Sequence, residues 1–484
     1  MSYGDLTTID ARIMLDAARH LALGEGLIVD PAIGIPGLGG RHYAYYGPAN
    51  SLLMLPLVLA ARLATVMVSL PVPLTFVQEF LAAMAGAWLK ALGVVLVYAV
   101  LQLFDDDPRR NVLAAGGGLL IGFDFQYGRS YFAEVPAAAC LLAAAYTIIA
   151  NRSAVGYAHL FRTGSALATA TAFRWEIAVF VPVFAIVAWR QRRFTAAAAL
   201  TFAVPLCAMA LVLGAYNTIR FGAFWRTGYE RLPLPASPIE GWVGLLVAPG
   251  AGLLWFAPWV LSIPALARGR HRHDPRIRDL GVLVLGLSIV ACLLYGSWSY
   301  WAGGLSWGPR FLVPLVPLMF VFAVLAWRRS VGARRIGLPF AAACVVLNVL
   351  LVIAPHERLH AYAAVQGWTE AERVWAPSRT PWLHQPRMAF DVLGNLPRIH
   401  DFAERARVRM RARSQPQLPG EIDMTDALEH SVTLNVPAVW WVRLLVLGVP
   451  SWLAISLGLA GLTAAGLLFA AAAHAAGTSR GVAI

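Results

Sequence analysis

The sequence predicts an all-α polytopic membrane protein, and three observations lead there. Of the 484 residues, 59% are hydrophobic and only 13% are charged, against roughly 25% charged in a soluble domain. The apolar runs are long and rich in Leu, Ala and Val, and the alternating dyad pattern of a membrane barrel does not occur. Basic residues gather in short turns at every second loop, as topology signals do. The net charge of +13 is therefore read as a membrane signature, and no nucleic-acid partner is expected. Cys140, Cys207, Cys292 and Cys344 all fall in apolar segments. They read as small core residues and not as disulfides or a metal cluster.

In chain order, residues 8–23 form an amphipathic helix with Ile9, Ile13, Met14, Ala17 and Leu21 at helical spacing and charges on the other face. Thr7 or Thr8 caps it and Gly24 ends it. A Gly-rich loop leads to the aromatic stretch Arg41–Pro48. Spans are expected at 75–104, 111–126, 134–150, 163–174, 176–189, 195–216, 250–267, 280–296, 310–327, 336–354 and 450–473, about 11 in all. The short span at 163–174 is expected to be broken or tilted. Basic turns at 109–110, 152–162, 190–193, 268–278 and 328–335 mark the cytoplasmic side.

The run 49–70 is settled by parity. Loop 105–110 is inside, so the span 75–104 starts outside. Arg62 and Pro56 make a lipid-exposed crossing by 49–70 costly. It is therefore read as an interfacial or re-entrant helix, with 1–48 outside. That orientation calls for a transmembrane helix before residue 1. A start codon further upstream is expected, ahead of a truncated chain or an N-terminus that translocates unaided. The organisation is then 1–74, external amphipathic and interfacial helices; 75–354, a transmembrane core; 355–436, an external segment or small subdomain; and 437–484, an interfacial helix, last span and cytoplasmic tail. The arginine run at 405–413 reads as a solvated helix face, with an anionic headgroup or glycan as the other reading.

Ionisable residues at the external helix ends are few, and they converge. They include Asp10, Asp124, Arg129 before Glu134, Arg174 and Glu176 flanking Trp175, Arg220, Tyr229 and Arg310. Arg310 follows a loop carrying Trp298, Tyr300, Trp301 and Trp307, too polar to face lipid and too aromatic for an ordinary solvated turn. An aromatic belt with a snorkelling arginine is the plain alternative. Ionisable residues at membrane depth face a cavity and are functional suspects. A carboxylate beside several arginines suits acid–base chemistry next to a phosphate, while a structural ion-pair network is the competing reading. No P-loop, GxGxxG turn, CxxC pair or HExxH occurs. Asp105–Asp107 reads as a solvated turn.

Taken in order, these residues resemble the GT-C superfamily of membrane glycosyltransferases, closest to the bacterial protein-mannosyltransferase and aminoarabinose-transferase type. The helix ending at Gly24 matches the family's first juxtamembrane helix, which places the catalytic acid at Asp10, with Asp5 next. His42, Tyr46 and the rest of the stretch to Pro48 look like its second juxtamembrane element. Arg129–Glu134 looks like the second external loop, with its acidic residue, and Arg174–Glu176 like the arginine-containing turn. Arg220 with Tyr229, Val247–Trp255 and Trp307–Arg310 look like later signatures.

The resemblance implies a GT-C fold and sugar transfer from a polyprenyl-phosphate donor to a hydroxyl on a glycan, lipid or protein, at the external face of the inner or plasma membrane. Asp10 would deprotonate the acceptor, and Arg174, Arg220 and Arg310 would hold the phosphate. No cofactor is certain. A divalent metal is used by some relatives and stays open, with Glu134 and His42 able to assist one. A transporter or flippase of a lipid-linked intermediate, or a non-catalytic subunit of an envelope assembly complex, are the other function classes.

Overall fold

The computed structural model describes residues 2–3, 6–68, 73–152, 156–191, 195–228, 238–267, 274–401, 404, 437, 439–446 and 449–478. Asp5, Tyr229 and the arginine run at 405–413 lie outside the described residues. The described residues are mostly helical, and among them one short two-stranded ribbon pairs Ile35–Pro36 with His42–Tyr43. The expected all-α polytopic architecture is the one found.

Helix α1 (Ile9–Ala22) begins at Thr8, whose hydroxyl accepts from the Ala11 amide. It ends at Gly24, which adopts a positive φ of 80°. Its buried side is wider than the sequence suggests. Ala11, Ile13, Met14, Leu15, Ala17 and Ala18 are all buried while Ile9 is exposed, because α1 packs against both α2 (Pro48–Val68) and α3 (Leu74–Gln102). Helix α2 is continuous through Pro56. It is long and apolar enough to cross a bilayer, so its length alone does not make it interfacial.

The next helices are α4 (Pro108–Ile121), α5 (Glu134–Ala150), α6 (Ala158–Phe173), α7 (Val181–Arg190) and α8 (Ala196–Phe221). Helix α4 starts at Asp107, whose carboxylate accepts from the Arg110 amide, and Asp105 pairs with Arg328. The acidic run at 105–107 is thus a helix cap and an ion pair. Helix α5 is buried along most of its length and packs on α3 and α6, while α6 packs on α8. There follow α9 (Pro238–Val247), α10 (Pro275–Gly296), α11 (Val316–Arg329, entered through a 3₁₀ turn from Arg310), α12 (Val331–Ile353), α13 (His356–Val365), α14 (Glu370–Trp375), α15 (Pro381–Gly394), α16 (Trp440–Val446) and α17 (Ser451–Thr478).

Seven helices among the described residues are long and apolar enough to span: Pro48–Met67, Leu74–Gln102, Ala196–Phe221, Pro275–Gly296, Arg310–Arg329, Val331–Ile353 and Ser451–Ala475. Six of these coincide with expected spans. The remaining expected spans are shorter pieces. Residues 250–267 break into turns at Pro258 and Pro264, and 176–189 opens as a 3₁₀ turn before Pro182. Such irregular backbone is tolerated at membrane depth when it is buried in protein, and Phe256, Ala257, Trp259 and Phe180 are indeed buried in the main core. The span Arg310–Arg329 is the central one: 94% of its apolar window is buried.

Close backbone approaches hold the bundle together at glycines. A β-carbon on Gly86 of α3 would overlap the Ser130 carbonyl, and one on Gly164 of α6 would overlap that of Phe202. Gly93, two turns along α3, faces open space. Gly86→Ala should therefore destabilise the fold by about 1–3 kcal/mol, while Gly93→Ala should be neutral or slightly stabilising. Thermal unfolding in detergent reads both; equal midpoints would remove the Gly86 contact from the account.

Candidate active site

Four separate segments bring their charged side chains into one ion-pair network, and three of them reach a cavity. Thr8 caps α1, which puts Asp10 in the first turn, where a carboxylate is favoured by the helix dipole. The chain leaves α6 at Arg174 in an extended conformation (φ −142°, ψ 112°) and turns back at once through Trp175 and Glu176. That break is held from outside. Asn50 of α2 donates to the Phe173 carbonyl at 2.9 Å, and the Tyr131 hydroxyl donates to Asn50 Oδ1 at 2.9 Å. Gly47 lies so close to the Ala172 carbonyl that no side chain fits there. Glu134 opens α5, and Arg310 opens the turn into α11.

The guanidinium of Arg310 joins two of these segments. Its Nη2 donates to Asp10 Oδ2 at 2.5 Å, and its Nε donates to Glu134 Oε1 at 2.6 Å. Glu134 Oε1 also accepts from Arg174 Nη1. Arg174 in turn binds Glu176 through Nε, at 2.6 Å, and through Nη2. The order is therefore Asp10–Arg310–Glu134–Arg174–Glu176. Three carboxylates against two guanidiniums leave one net negative charge. Glu134 is fully buried and Asp10 keeps 18% of its side chain exposed.

Asp10, Arg174, Glu176 and Arg310 line a cavity of about 580 Å³, within the range of small-molecule sites. Tyr45, Tyr46, Trp175, Trp298, Tyr300 and Phe311 contribute its aromatic wall. Burial works to raise the Asp10 carboxyl, but Arg310, a hydrogen bond from Tyr46 and Arg174 outweigh it and hold the group below the usual carboxylate range. The Tyr45 and Tyr46 hydroxyls lie 2.7 Å apart. Arg174 lies between the carboxylates of Glu134 and Glu176 and binds both.

The other residues singled out in the sequence lie elsewhere. Glu134 sits behind the two arginines and not on the cavity wall. Arg129 is buried beneath Tyr3 and donates to the Leu351 carbonyl at 2.6 Å. Arg220 is buried on Tyr216, donating to Asn217 Oδ1 at 2.7 Å and to the Ala44 carbonyl. Trp307 packs edge-on against Phe256, and His42 lies in the short ribbon. Asp5 and Tyr229 are outside the described residues. Sequence reasoning missed Tyr45 and Asn50. Tyr45 stands inside the aromatic stretch 41–48, where composition flags it, but nothing local marks Asn50, whose partner Phe173 is 123 residues away. For a divalent metal, no group of three or more His, Cys, Asp or Glu among the described residues is placed to hold one. Asp10, Glu134 and Glu176 are each already bound to a guanidinium.

Fold and site together describe a polytopic helical membrane protein with an ion-pair network lining a cavity. Among solved structures, ArnT from Cupriavidus metallidurans bound to undecaprenyl phosphate shares this fold: TM-score 0.51 and 15% identity, covering 90% of this chain and 81% of that one. The apo structure of the same protein gives a TM-score of 0.49 over the same shares. No protein-family model and no curated protein matches the chain.

Glu134 is the shared partner of both arginines. Glu134→Ala should lower the unfolding midpoint, with a cost approaching the roughly 3–5 kcal/mol typical of a broken buried pair. Glu134→Gln, which keeps an acceptor, should cost clearly less. Equal midpoints for the two variants would show that the carboxylate charge and its acceptor geometry do not hold the arginines.

Proposed function

We propose that the chain is a GT-C-type glycosyltransferase that moves a sugar from a polyprenyl-phosphate donor to an acceptor hydroxyl, on the membrane face that carries α1. The observation that carries this reading is a cavity in which an ionised carboxylate, Asp10, shares a guanidinium with the wall. The undecaprenyl phosphate in the ArnT structure, whose fold this chain shares, supports a lipid-phosphate partner.

The charge balance suggests how the groups work together. The donor is a phosphodiester with one negative charge; the departing polyprenyl phosphate is a monoester that carries more. Arg310 and Arg174 line the cavity and can take up that growing charge, which is the kind of stabilisation that lowers a barrier. In the donor complex Arg310 turns Nη2 from Asp10 to the phosphate, while Glu134 keeps hold of Nε. Asp10 then loses its main countercharge and gains a negative neighbour, but remains buried. Its proton affinity rises as the donor binds, and it becomes a stronger base. The acceptor hydroxyl gives its proton to Asp10, its oxygen forms a bond to the anomeric carbon, and the bond from that carbon to the phosphate oxygen breaks. Attack from the face opposite the phosphate inverts the anomeric centre. The aromatic wall offers stacking surfaces for a sugar ring.

Asp10→Asn keeps the shape and removes the base. With purified protein in nanodiscs, offered labelled polyprenyl-phosphate sugars and hydroxyl acceptors, it should lower transfer by about 10²–10⁴-fold. Undiminished transfer by the variant would remove Asp10 as the base.

The acid limb supplies a second test. Asp10 is active when deprotonated, so activity falls as pH drops through its pKa. In the free protein that pKa is depressed, so kcat/KM should stay level down to below the ordinary aspartate value of about 3.9. The limb in kcat, which reports the donor complex, should lie at higher pH. Tyr46→Phe removes a hydrogen bond to the carboxylate and should move the kcat/KM limb upward. Coincident limbs in kcat and kcat/KM would contradict the exchange of Arg310 between carboxylate and phosphate.

A further inference from the structure

A second and larger cavity lies at the far end of α11. From Arg310 to Arg329 the chain advances about 30 Å at helical rise, which matches the hydrocarbon thickness of a bilayer. The second cavity therefore stands at the opposite membrane face from Asp10. It encloses about 740 Å³. Helices α4 and α12 touch where Asn348 donates to the Leu120 carbonyl at 2.7 Å and to that of Gly122 at 3.2 Å. Towards the other end they part, and α11 forms the floor between them. Leu113, Gly117 and Ile121 line one wall, Leu338 the other, and Phe320 and Val324 the floor. Leu113 and Leu338 are about half exposed, at 49% and 47%, so the groove opens sideways to lipid.

Its rim is basic. Arg110, Arg328, Arg329 and Arg334 line it against one carboxylate, Asp105. Arg328 is engaged by Asp105 at 3.1 Å and by Asn111 at 2.6 Å, and Arg110 by Asp107 at 3.2 Å. Arg329 is different. Its Nη2 reaches the Phe104 carbonyl at 3.4 Å, its Nη1 is buried with no hydrogen-bond partner among the described residues, and Asp274 and Asp105 act on it only through space. Positive turns on this face also serve as topology signals. A topology signal, however, needs neither an apolar groove beneath it nor a guanidinium edge kept dry and unpaired. A buried donor without a partner destabilises a fold unless a ligand supplies the acceptor.

We propose that this groove binds an anionic glycerophospholipid of the leaflet opposite the catalytic cavity. Its phosphate oxygens accept from the guanidiniums of Arg329 and Arg334, and an acyl chain lies between α4 and α12. Charge complementarity selects an anionic head over a zwitterionic one, since a choline group would bring its own cation to an arginine rim. The open apolar walls select a lipid over a free phosphate. The inference is independent of the sugar-transfer chemistry.

The test uses the full chain in detergent, with native mass spectrometry or fluorescence titration as the readout. Three probes are compared: dioctanoyl phosphatidylglycerol, dioctanoyl phosphatidylcholine and glycerol 3-phosphate. Saturable binding of phosphatidylglycerol at least 10-fold tighter than of either other probe is expected. Arg329→Gln should weaken it 10-fold or more, and Leu338→Trp, which fills the groove from a half-exposed position, should do the same. If Arg329→Gln does not fold, Leu338→Trp decides. Equal binding of phosphatidylcholine would make the groove merely apolar and overturn the proposal. Glycerol 3-phosphate binding as tightly would make it a phosphate site without a lipid. Wild-type affinity in folded groove variants would place the lipid elsewhere and overturn it as well.

Discussion

One guanidinium, that of Arg310, ties α1, α5 and the central helix together. It heads the most buried of the long apolar helices, where an unpaired positive charge would cost several kcal/mol. Asp10 and Glu134 offset that cost from two different elements. Glu134 extends the network to Arg174, which fixes the turn between α6 and α7. The pairs are strong because they are largely withdrawn from water. They stay open to chemistry because Asp10, Arg174, Glu176 and Arg310 still line a cavity. A fully enclosed network would only be structural.

The contrast with the other buried arginines shows what distinguishes a site from a clamp. Arg129 and Arg220 are almost completely buried. Their hydrogen bonds include those to backbone carbonyls and side-chain amides, of Leu351 and Gln126 in one case and Ala44 and Asn217 in the other, and the Glu357 carboxylate acts on Arg129 through space. Their planes rest on Tyr3 and Tyr216. Such contacts fix segments: Arg129 lies where the Ser2–Tyr3 backbone docks, and Arg220 ties α8 to the loop before α2. A neutral carbonyl cannot change charge when a ligand arrives. A carboxylate can, so a guanidinium bound to Asp10 can exchange partners while one bound to a carbonyl is a fixture.

These distinctions mark the limit of what the sequence shows. The long helices, the Thr8 cap, the Gly24 stop and the unusual loop before Arg310 are all local features, and local periodicity and turn chemistry reveal them. Hydropathy merges the pieces around Pro258 and Pro264 into one span, because it counts apolar residues and is blind to where two prolines interrupt the hydrogen-bond ladder. The pairing itself is not local. Arg310 meets Glu134 across 176 residues and Asp10 across 300. No spacing rule could tell that Arg310 and Arg174 would share Glu134 while Arg129, five residues before it, would turn inward to Leu351. Arginine count and position raise suspicion; only packing decides which ones face the cavity.

The central helix also explains why charge is concentrated at two levels of the molecule. A segment from Arg310 to Arg329 that is almost completely enclosed by apolar side chains cannot slide along its axis without dragging a guanidinium into hydrocarbon. Arg310 at one end and Arg328 with Arg329 at the other therefore fix its register across the bilayer. The first end meets carboxylates, which leaves one net negative charge beside the cavity. The second meets backbone carbonyls, Asn111 and a single rim carboxylate, which leaves positive charge facing the lipid. One helix thus carries two opposite fields to the two faces of the membrane. At the first face carboxylates outnumber guanidiniums around the cavity, and at the second arginines outnumber the carboxylates that line the groove.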